Sequence, residues 1–352
     1  MRWAQLVLLH AVPRVRSVFS VSVEDVRLGN AGPPGHEAAA AESWRAVTRV
    51  LRSCRAAVGG AVVDVVNAVW PSDCRLCGGP MISINRAGVC EACVARVEAQ
   101  DERSNVLCSR CGDALGMESA RFASAMGITE CTMCRLAPPE FARAVAYAEY
   151  DAEVREMLHL LKFDGVREVA KHLLGDWLAK AVLKLEDQAA RDLIVIPVPL
   201  FAARERSRGF NQSKLLAEAA VKQLRKLRRG WMLRIDTKSF ARVKDTHALF
   251  TMQPHERRKS LRGAFRVTDA EAIRGREVLL IDDIMTTGAT ARECARVLMR
   301  AGAAKVWVAT VAKAQPESVR VPRTDTFGES HDSMVARWDA GPVQHAEAQA
   351  SW

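Results

Sequence analysis

The chain has 352 residues, 49% of them hydrophobic and 26% charged, which is an ordinary globular composition with room for two domains and terminal tails. No stretch approaches 18 uninterrupted apolar residues, so the sequence predicts no membrane-spanning helix. The net charge is +10, and residues 201–270 alone hold 18 Lys and Arg against six Asp and Glu. That basic segment is either a solvated face or a surface for the phosphates of a small molecule or a nucleic acid.

The N-terminal segment, residues 1–43, is predicted to be a flexible leader, because residues 20–43 show no hydrophobic periodicity. Its start is mildly apolar but lacks a small-residue cleavage site, which argues against a signal peptide. Apolar residues then recur at helical spacing over residues 44–71, until Pro71 ends the run. We expect an amphipathic helix there that packs on its own protein rather than on a membrane.

Eight of the ten cysteines form four Cys-x-x-Cys pairs within residues 72–136. Each such turn directs two thiolates at one ion, and two turns complete the tetrahedral four-sulfur site that zinc prefers. A glycine follows Cys77 and Cys111 but not the second pair of each half, which is typical of a repeat whose pairs bind in sequential order. The predicted zinc ligands are therefore Cys74, Cys77, Cys90 and Cys93 for one ion and Cys108, Cys111, Cys131 and Cys134 for the other.

Two alternatives remain for these cysteines, an iron–sulfur cluster and a redox dithiol, although the spacing does not match that of ferredoxins. Metal-ligand spacing indicates a reducing compartment, and the cytoplasm is the expected location. The other two cysteines, Cys54 and Cys294, fall in helical patterns and are predicted to pack as small hydrophobic side chains.

Strands and helices alternate after the cysteine module, over residues 141–314. We predict strands at residues 143–150, 193–198, 277–281 and 305–311 and helices at residues 152–162, 169–185, 213–227 and 289–300. This alternation is typical of an α/β domain whose parallel sheet is covered by helices on both faces. Residues 315–352 are polar and irregular, and we expect a disordered tail there.

The most specific motif covers residues 278–290, where a buried strand is followed by Asp282 and Asp283, a short turn of hydroxyl residues with Gly288, and the start of a helix. The turn and the helix N-terminus present backbone N–H groups to a phosphate, and the acids can hold a ribose diol. An apolar strand before two aspartates also occurs in P-loop ATPases. That alternative needs an upstream G-x-x-x-x-G-K-[ST] motif, which the sequence lacks.

This motif resembles the 5-phosphoribosyl 1-diphosphate (PRPP) signature of type I phosphoribosyltransferases. The chain from about residue 69 to residue 314 resembles the ComF family of competence-associated proteins, and the other marks of that family are the cysteine repeat and residues 161–165 (LKFDG), 196–200 (IPVPL) and 208–212 (RGFNQ). The resemblance implies a type I phosphoribosyltransferase-like parallel sheet flanked by helices, preceded by a small double zinc-ribbon module.

The resemblance also implies roles for individual residues. Asp282 and Asp283 would hold the ribose hydroxyls of PRPP, directly or through Mg2+. The 5-phosphate would lie among Thr286, Thr287, Gly288, Ala289 and Thr290. The turn after Pro199 would bind pyrophosphate, with Arg208 favoured among the available cations because it adjoins Gly209; the others are Arg204 and Arg206.

Residues 242–265 match the basic mobile stretch of the family, apart from Leu249, where the family usually has glutamine, and Ser260, where it usually has asparagine. The sequence identifies no general base. Lys162, Asp164 and His159 are candidates by location, and a solvated helix end is the expected environment of each.

Three functions follow from these patterns, and the fold alone does not decide between them. The first is a phosphoribosyltransferase, a pentosyl-group glycosyltransferase that acts on an unidentified base or amine. The second is a non-catalytic protein that handles single-stranded DNA during uptake, together with the competence machinery. The third is a regulator that binds PRPP without turning it over.

Overall fold

The structure, a computed structural model, describes residues 72–81, 86–100, 106–116, 120–121, 125–246 and 260–315, which belong to one compact unit. The predicted leader at residues 1–43, the predicted helix at residues 44–71, Cys54 and Leu249 lie outside the described residues. So do residues 316–352 of the predicted tail. Gln315, which the prediction assigned to that tail, is buried and donates a hydrogen bond to the Gly112 carbonyl.

The described elements follow one another as strands and helices of ordinary length. In chain order they are β1 (Ser72–Asp73), β2 (Pro80–Met81), α1 (Glu91–Ala95), α2 (Thr132–Leu136), β3 (Arg143–Glu149), α3 (Ala152–Lys162), α4 (Arg167–Val169), α5 (Gly175–Leu183), β4 (Asp192–Pro197), α6 (Ala202–Arg208), α7 (Gln212–Leu227), β5 (Met232–Ile235), β6 (Phe240–Arg242), β7 (Phe265–Val267), β8 (Glu277–Met285), α8 (Ala289–Arg300) and β9 (Lys305–Lys313). None of the described helices is long and apolar enough to cross a membrane.

Five parallel strands form the central sheet in the order β3-β9-β8-β4-β5. The central strand β8 shows why helices cover both faces. Val278 and Leu280 pack into one apolar layer with α8, whereas Leu279 and Ile281 pack into the other with α3, α5 and α7. Because alternate side chains of a strand point to opposite faces, a run that is apolar at every position must be buried on both. The predicted parallel α/β sheet is thus confirmed.

Side-chain caps and a close helix contact fix the layer formed by α3, α5 and α7. Asp151 caps α3 by accepting from the Val154 N–H at 3.1 Å, and Asn211 caps α7 by accepting from the Ser213 N–H at 2.9 Å. Gly175 lies so near α7 that a Cβ atom there would stand 2.3 Å from the Ala219 Cβ. A side chain at residue 175 would therefore force these two helices apart.

The cysteine module lies against β3, the edge strand of the sheet. The Ala144 N–H donates to the Arg110 carbonyl at 2.7 Å, and Ala99 forms an isolated antiparallel bridge with Ala148. These contacts satisfy backbone groups that an uncovered edge would leave unpaired. The module and the α/β domain therefore share one packed unit.

The structure extends several predicted elements and adds others. Strand β8 runs to Met285 instead of ending at residue 281, so both aspartates lie within the strand. The helix predicted at residues 169–185 is instead α4 and α5 joined by a π-helical turn at Ala170–Leu174. Strands β5, β6 and β7 and helix α6 were not predicted, because they are too short for periodicity to identify.

Candidate functional site

Each predicted set of four cysteines converges on one point. The ligand atoms of each set lie within 4.8 Å of one another, with Cys74, Cys77, Cys90 and Cys93 in one cluster and Cys108, Cys111, Cys131 and Cys134 in the other. We call these the first and the second cysteine cluster. A tetrahedron with zinc–sulfur bonds of about 2.3 Å has sulfur–sulfur edges of about 3.8 Å. The Sγ–Sγ distances are 3.9 Å for Cys74–Cys93 and 3.7 Å for Cys111–Cys131, so both clusters can hold a tetrahedral metal ion such as zinc.

Backbone hydrogen bonds to sulfur prepare both clusters for thiolate ligands. The Cys90 N–H donates to Cys74 Sγ and the Cys131 N–H donates to Cys108 Sγ, each at 3.2 Å. Burial works against ionisation of Cys74, but backbone hydrogen bonds from Cys77, Cys90 and Leu76 lower its pKa to about 6. Burial raises the pKa of Cys93 and of Cys134 to about 12. A metal ion must displace the protons of those thiols, so metal binding releases protons.

A pocket of about 870 Å3 opens where the parallel strands end. Its walls come from the segments after β4 and β8 and from the ends of α3 and α6. Crevices at the carboxyl ends of parallel strands are the usual ligand sites of α/β folds. All eight residues predicted for PRPP line this pocket, namely Arg208, Asp282, Asp283, Thr286, Thr287, Gly288, Ala289 and Thr290.

The two aspartates project from opposite faces of β8 and have different environments. Asp282 is half-buried, and its Oδ1 accepts from Ser213 Oγ at 2.9 Å. Burial, reinforced by the neighbouring Asp283, raises the pKa of Asp282 to about 7. Asp283 is 4% exposed, and its Oδ1 accepts from the Ile284 N–H at 2.8 Å. Asp283 is thus the more deeply buried of the two carboxylates, and Asp282 is the one whose pKa lies near neutrality.

Lys162 is the counter-charge of Asp283. Its Nζ lies 2.5 Å from Asp283 Oδ2 at the C-terminal end of α3. Burial opposes the charge of this ammonium group, but Asp283 raises the pKa of Lys162 above its ordinary value. The expected solvated helix end is therefore wrong for Lys162. A solvated helix end describes His159 and Asp164 better, because His159 Nδ1 and Asp164 Oδ2 lie 3.7 Å apart and both side chains are partly exposed.

Residues 286–288 join β8 to α8, and Ala289 and Thr290 begin that helix; together they form what we call the loop at residues 286–290, which has the features of an anion site. Gly288 is the N-cap of α8 with φ +70°, so no side chain caps the first turn of this twelve-residue helix. The side chains of Thr286 and Thr287 are exposed. Free N–H groups and the positive end of the helix dipole favour a phosphate at such a place.

The three arginines that the sequence offers for pyrophosphate do not all lie on one face of helix α6. Arg204 and Arg208 are one turn apart and both line the pocket, whereas Arg206, on another face, is exposed and does not line it. Arg208 donates to Gln212 Oε1 at 2.6 Å, and its guanidinium lies 5.6 Å from the centre of the Phe163 ring. Arg242, which belongs to the unpredicted strand β6, adds a further cation to the wall.

Sequence reasoning missed two groups at this site and the partner of a third. Ser213 holds Asp282, and Lys313 donates to the Thr286 carbonyl at 3.0 Å. Lys162 was a candidate by location, but its ion pair with Asp283 was not predicted. Ser213 was visible as the first residue of a predicted helix, but its partner Asp282 was not predicted. Lys313 ends a strand that is largely apolar from Val306 onward, and a lysine at the end of such a run is the signal that could have identified it.

The chain is similar to known proteins over most of these regions. A family model described as "Phosphoribosyl transferase domain" matches residues 185–345. DNA utilization protein YhgH of Escherichia coli O6:H1 is 30% identical over 245 residues, which cover 68% of this chain and 95% of the relative. Competence protein F of Haemophilus influenzae is 26% identical over 247 residues, covering 68% and 96%.

Two further matches are partial. Competence protein ComFC of Bacillus subtilis is 29% identical over 155 residues, which cover 44% of this chain and 57% of the relative. A crystal structure of a hypoxanthine phosphoribosyltransferase from Staphylococcus aureus matches with a TM-score of 0.25 and 15% identity, covering 45% of this chain and 81% of that one. The full-length relatives, the matching domain model and the two cysteine clusters identify the chain as a member of the ComF family of competence and DNA-utilisation proteins, with a phosphoribosyltransferase domain.

Proposed function

We propose that the protein binds PRPP in the pocket at the carboxyl ends of the strands and transfers its phosphoribosyl group to an acceptor. The observation that carries the proposal is the placement of Asp282 and Asp283 beside the uncapped N-terminus of α8, in one pocket with several cations. A ribose diol needs hydrogen-bond acceptors, a 5-phosphate needs backbone donors, and a pyrophosphate needs positive charge. The three requirements are met within a single cavity.

Different residues of the pocket would bind different parts of PRPP. The loop at residues 286–290 would hold the 5-phosphate on its N–H groups, and the aspartates would orient the ribose hydroxyls. Arg208 and Arg204 would face the pyrophosphate that leaves as the bond from C1 to its oxygen breaks and the bond to the acceptor forms. The protein would thus act by positioning and by charge, without a covalent intermediate.

Carboxylates and hydroxyls are the donor set that Mg2+ prefers, and the pocket offers both. When bound with PRPP, Mg2+ offsets the charge of the diphosphate. Asp282, whose Oδ1 is already held by Ser213 Oγ, would keep its other oxygen directed at the ion or at the ribose.

Calorimetry of the full chain with PRPP and Mg2+ tests binding, and release of pyrophosphate over a panel of bases tests transfer. We expect PRPP to bind more tightly than ribose 5-phosphate, and ribose 5-phosphate more tightly than inorganic phosphate. Binding with no release over the panel would leave a PRPP-sensing regulator as the function. An absence of PRPP binding to protein with both clusters loaded would overturn the proposal.

A second function, binding of single-stranded DNA, is favoured by the exposed cations at the end of α7. Arg225, Lys226, Arg228 and Arg229 are all exposed there, and Glu186, 2.5 Å from Arg228, is the acid paired with them. The names of the relatives refer to DNA utilisation and competence. Each phosphate that a protein neutralises releases counterions and steepens the salt dependence of binding.

Replacement of those four cations by Gln tests this second function. If α7 binds DNA, the slope of log affinity against log salt concentration should flatten by about one unit for each phosphate that the variant no longer neutralises. PRPP binding of the same variant serves as the control for its fold. An unchanged slope would assign these cations to solubility.

We further propose that both cysteine clusters hold zinc and that the protein works in the cytoplasm. The Sγ–Sγ distances of 3.7 to 3.9 Å support zinc. Reducing conditions keep eight thiols available as ligands. Closed four-thiolate sites generally stabilise a fold rather than catalyse a reaction, and this is the role we assign to the first cluster.

A further inference from the structure

Lys313 is a buried cation that joins the second cysteine cluster to the loop at residues 286–290. It is 3% exposed at the end of β9, where it pairs in register with Met285 of β8. Its Nζ donates to the Thr286 carbonyl at 3.0 Å and forms a short ion pair with Asp113 Oδ1. A buried ammonium group is costly unless such partners surround it, so both contacts are structurally required.

Asp113 is fixed by the second cluster itself. The Asp113 carbonyl accepts from the Cys108 N–H at 2.8 Å, and Cys111 Sγ lies 3.3 Å from Asp113 Oδ2. The backbone of Asp113 therefore takes its position from the turn that carries two of the four ligands. A change in the geometry of that turn would move the partner of Lys313.

A second contact joins the same cluster to the other end of the loop. Arg292, in the first turns of α8, donates to the Ala137 carbonyl at 2.6 Å and lies 3.9 Å from Cys134 Sγ. The Arg292 N–H in turn donates to the Gly288 carbonyl at 2.8 Å. The loop is thus held on one side by Lys313, the partner of Asp113, and on the other by Arg292, which lies beside Cys134.

A bound metal ion fixes the geometry of the four thiols and of the turns that carry them. Two cations depend on that geometry. Arg292 lies 3.9 Å from Cys134 Sγ, and Lys313 pairs with Asp113, whose carbonyl accepts from the Cys108 N–H. If the metal leaves, the turns lose their fixed geometry, so both cations lose part of what holds them.

We infer that Lys313 is a positioning residue through which the metal state of the second cysteine cluster sets the shape of the loop at residues 286–290, so that loss of metal from this cluster weakens phosphate binding in the pocket. The inference rests on the proposed function of the pocket. It assigns the second cluster a task in ligand binding that the first cluster lacks. The first cluster is connected elsewhere, since Arg96 donates to Cys93 Sγ at 2.9 Å and pairs with Glu153 at the start of α3.

The experiment compares one variant in each cluster of the full-length protein. Cys134→Ser should lose about one metal ion per chain and bind PRPP about tenfold more weakly, which is the size of one hydrogen bond made by a charged group. Cys77→Ser should also lose about one ion but bind PRPP within about twofold of the unmodified protein. Metal content is measured by mass spectrometry and affinity by calorimetry.

Lys313→Met removes the contact between Lys313 and the Thr286 carbonyl without changing a metal ligand. It should retain both ions and still lose about tenfold in PRPP affinity, because the Thr286 carbonyl is no longer fixed. Lys305→Met is the matched control, since it removes an exposed lysine from the other end of the same strand and should change neither quantity. Lys313→Arg, which keeps the charge, should recover part of the affinity.

Amide hydrogen exchange gives a readout that does not depend on any ligand. Peptides that cover residues 284–292 should exchange faster in Cys134→Ser and Lys313→Met than in Cys77→Ser and Lys305→Met. Equal exchange in all four variants would overturn the inference. If exchange behaves as expected but the unmodified protein binds no PRPP, the coupling stands and the proposed function of the pocket fails.

Discussion

Lys162 Nζ lies 2.5 Å from Asp283 Oδ2, and this ion pair anchors the C-terminal end of α3 to the central strand of the sheet. The Asp283 oxygen is buried, and among the described residues it makes no hydrogen bond of regular geometry, so the ammonium group is its compensating partner. Removal of one partner from a buried pair leaves an uncompensated charge. The pair is therefore part of the stability of the domain as well as of the floor of its pocket.

Lys162→Met should lower the free energy of unfolding by about 3 kcal/mol. Lys171→Met is a matched control, because Lys171 and Glu168 also lie 2.5 Å apart but are largely exposed, and its effect should be much smaller than that of Lys162→Met. Denaturant titration of both variants measures the difference. The double variant Lys162→Met/Asp283→Asn should recover part of the lost stability. Equal effects of the two single variants would show that burial adds nothing to the Lys162 pair.

The raised pKa of Asp282 predicts that the stability of the folded protein depends on pH. That pKa is raised to about 7 in the folded protein, whereas an unfolded aspartate titrates near about 3.9. Ionisation is therefore disfavoured by folding, and its cost appears as the pH rises from about 4 through about 7. Asp282→Asn keeps an acceptor for Ser213 Oγ and removes that cost, so it should raise the Tm of the ligand-free protein at pH 8 more than at pH 4.

Asp236 provides a control of opposite sign. Although burial acts against its charge, hydrogen bonds from Ser239 and from the Lys238 N–H lower the pKa of Asp236. Its carboxylate therefore adds stability above its unfolded pKa, and Asp236→Asn should lower the Tm at pH 8. Thermal denaturation between pH 4 and pH 8 compares the two variants. A Tm difference for Asp282→Asn that does not change with pH would contradict the assignment.

Metal removal should destabilise the protein in two steps. The purified protein should contain about two zinc ions per chain, because eight thiols form two tetrahedral sets. Cys74→Ser should remove one ion and leave the other, since the ligands of each set come from separate segments of the chain. Zinc content and Tm during titration with a chelator provide the measurement. Loss of both ions from this single change would show that the clusters depend on each other.

Local patterns in the sequence predicted much of the fold and of the pocket. The apolar run before Asp282 predicted β8, and the hydroxyl turn with Gly288 predicted the loop and the start of α8, because each depends on neighbouring residues alone. The cysteine pairing was predicted for the same reason, and the structure confirms that each set converges.

Contacts between distant segments could not be predicted in this way. The sequence predicts a solvated helix end for Lys162 because nothing near it in the chain indicates Asp283. The connection from Asp113 to Lys313 joins the two modules and exists only once the cysteine module lies against the edge of the sheet. Likewise, the sequence favoured Arg208 over Arg206 only because Arg208 adjoins Gly209, whereas the turn of α6 is what places Arg204 and Arg208 on the pocket wall and Arg206 away from it.

The loop at residues 286–290 allows a test that separates backbone strain from loss of the ligand. Gly288 has φ +70° and Gly275 has φ +69°, so alanine is equally strained at both positions and should cost about 1 kcal/mol of stability at each. A Cβ atom at residue 288 would stand 2.7 Å from the Met285 Cε, whereas at residue 275 it would meet nothing within 4 Å. Met285 is the register partner of Lys313, so its displacement would disturb the loop.

Gly288→Ala should therefore greatly reduce the rise in Tm that PRPP and Mg2+ produce, and Gly275→Ala should retain it. A ligand that binds only the native protein stabilises it in proportion to the logarithm of one plus the ratio of ligand concentration to Kd, so at a fixed ligand concentration the rise in Tm reports affinity. The larger Gly288→Val should abolish the shift, because a β-branched side chain would enter the space proposed for the phosphate. If both alanine variants keep the full shift with millimolar PRPP, the 5-phosphate does not lie on the N-terminus of α8, and the proposed orientation of PRPP in the pocket is wrong.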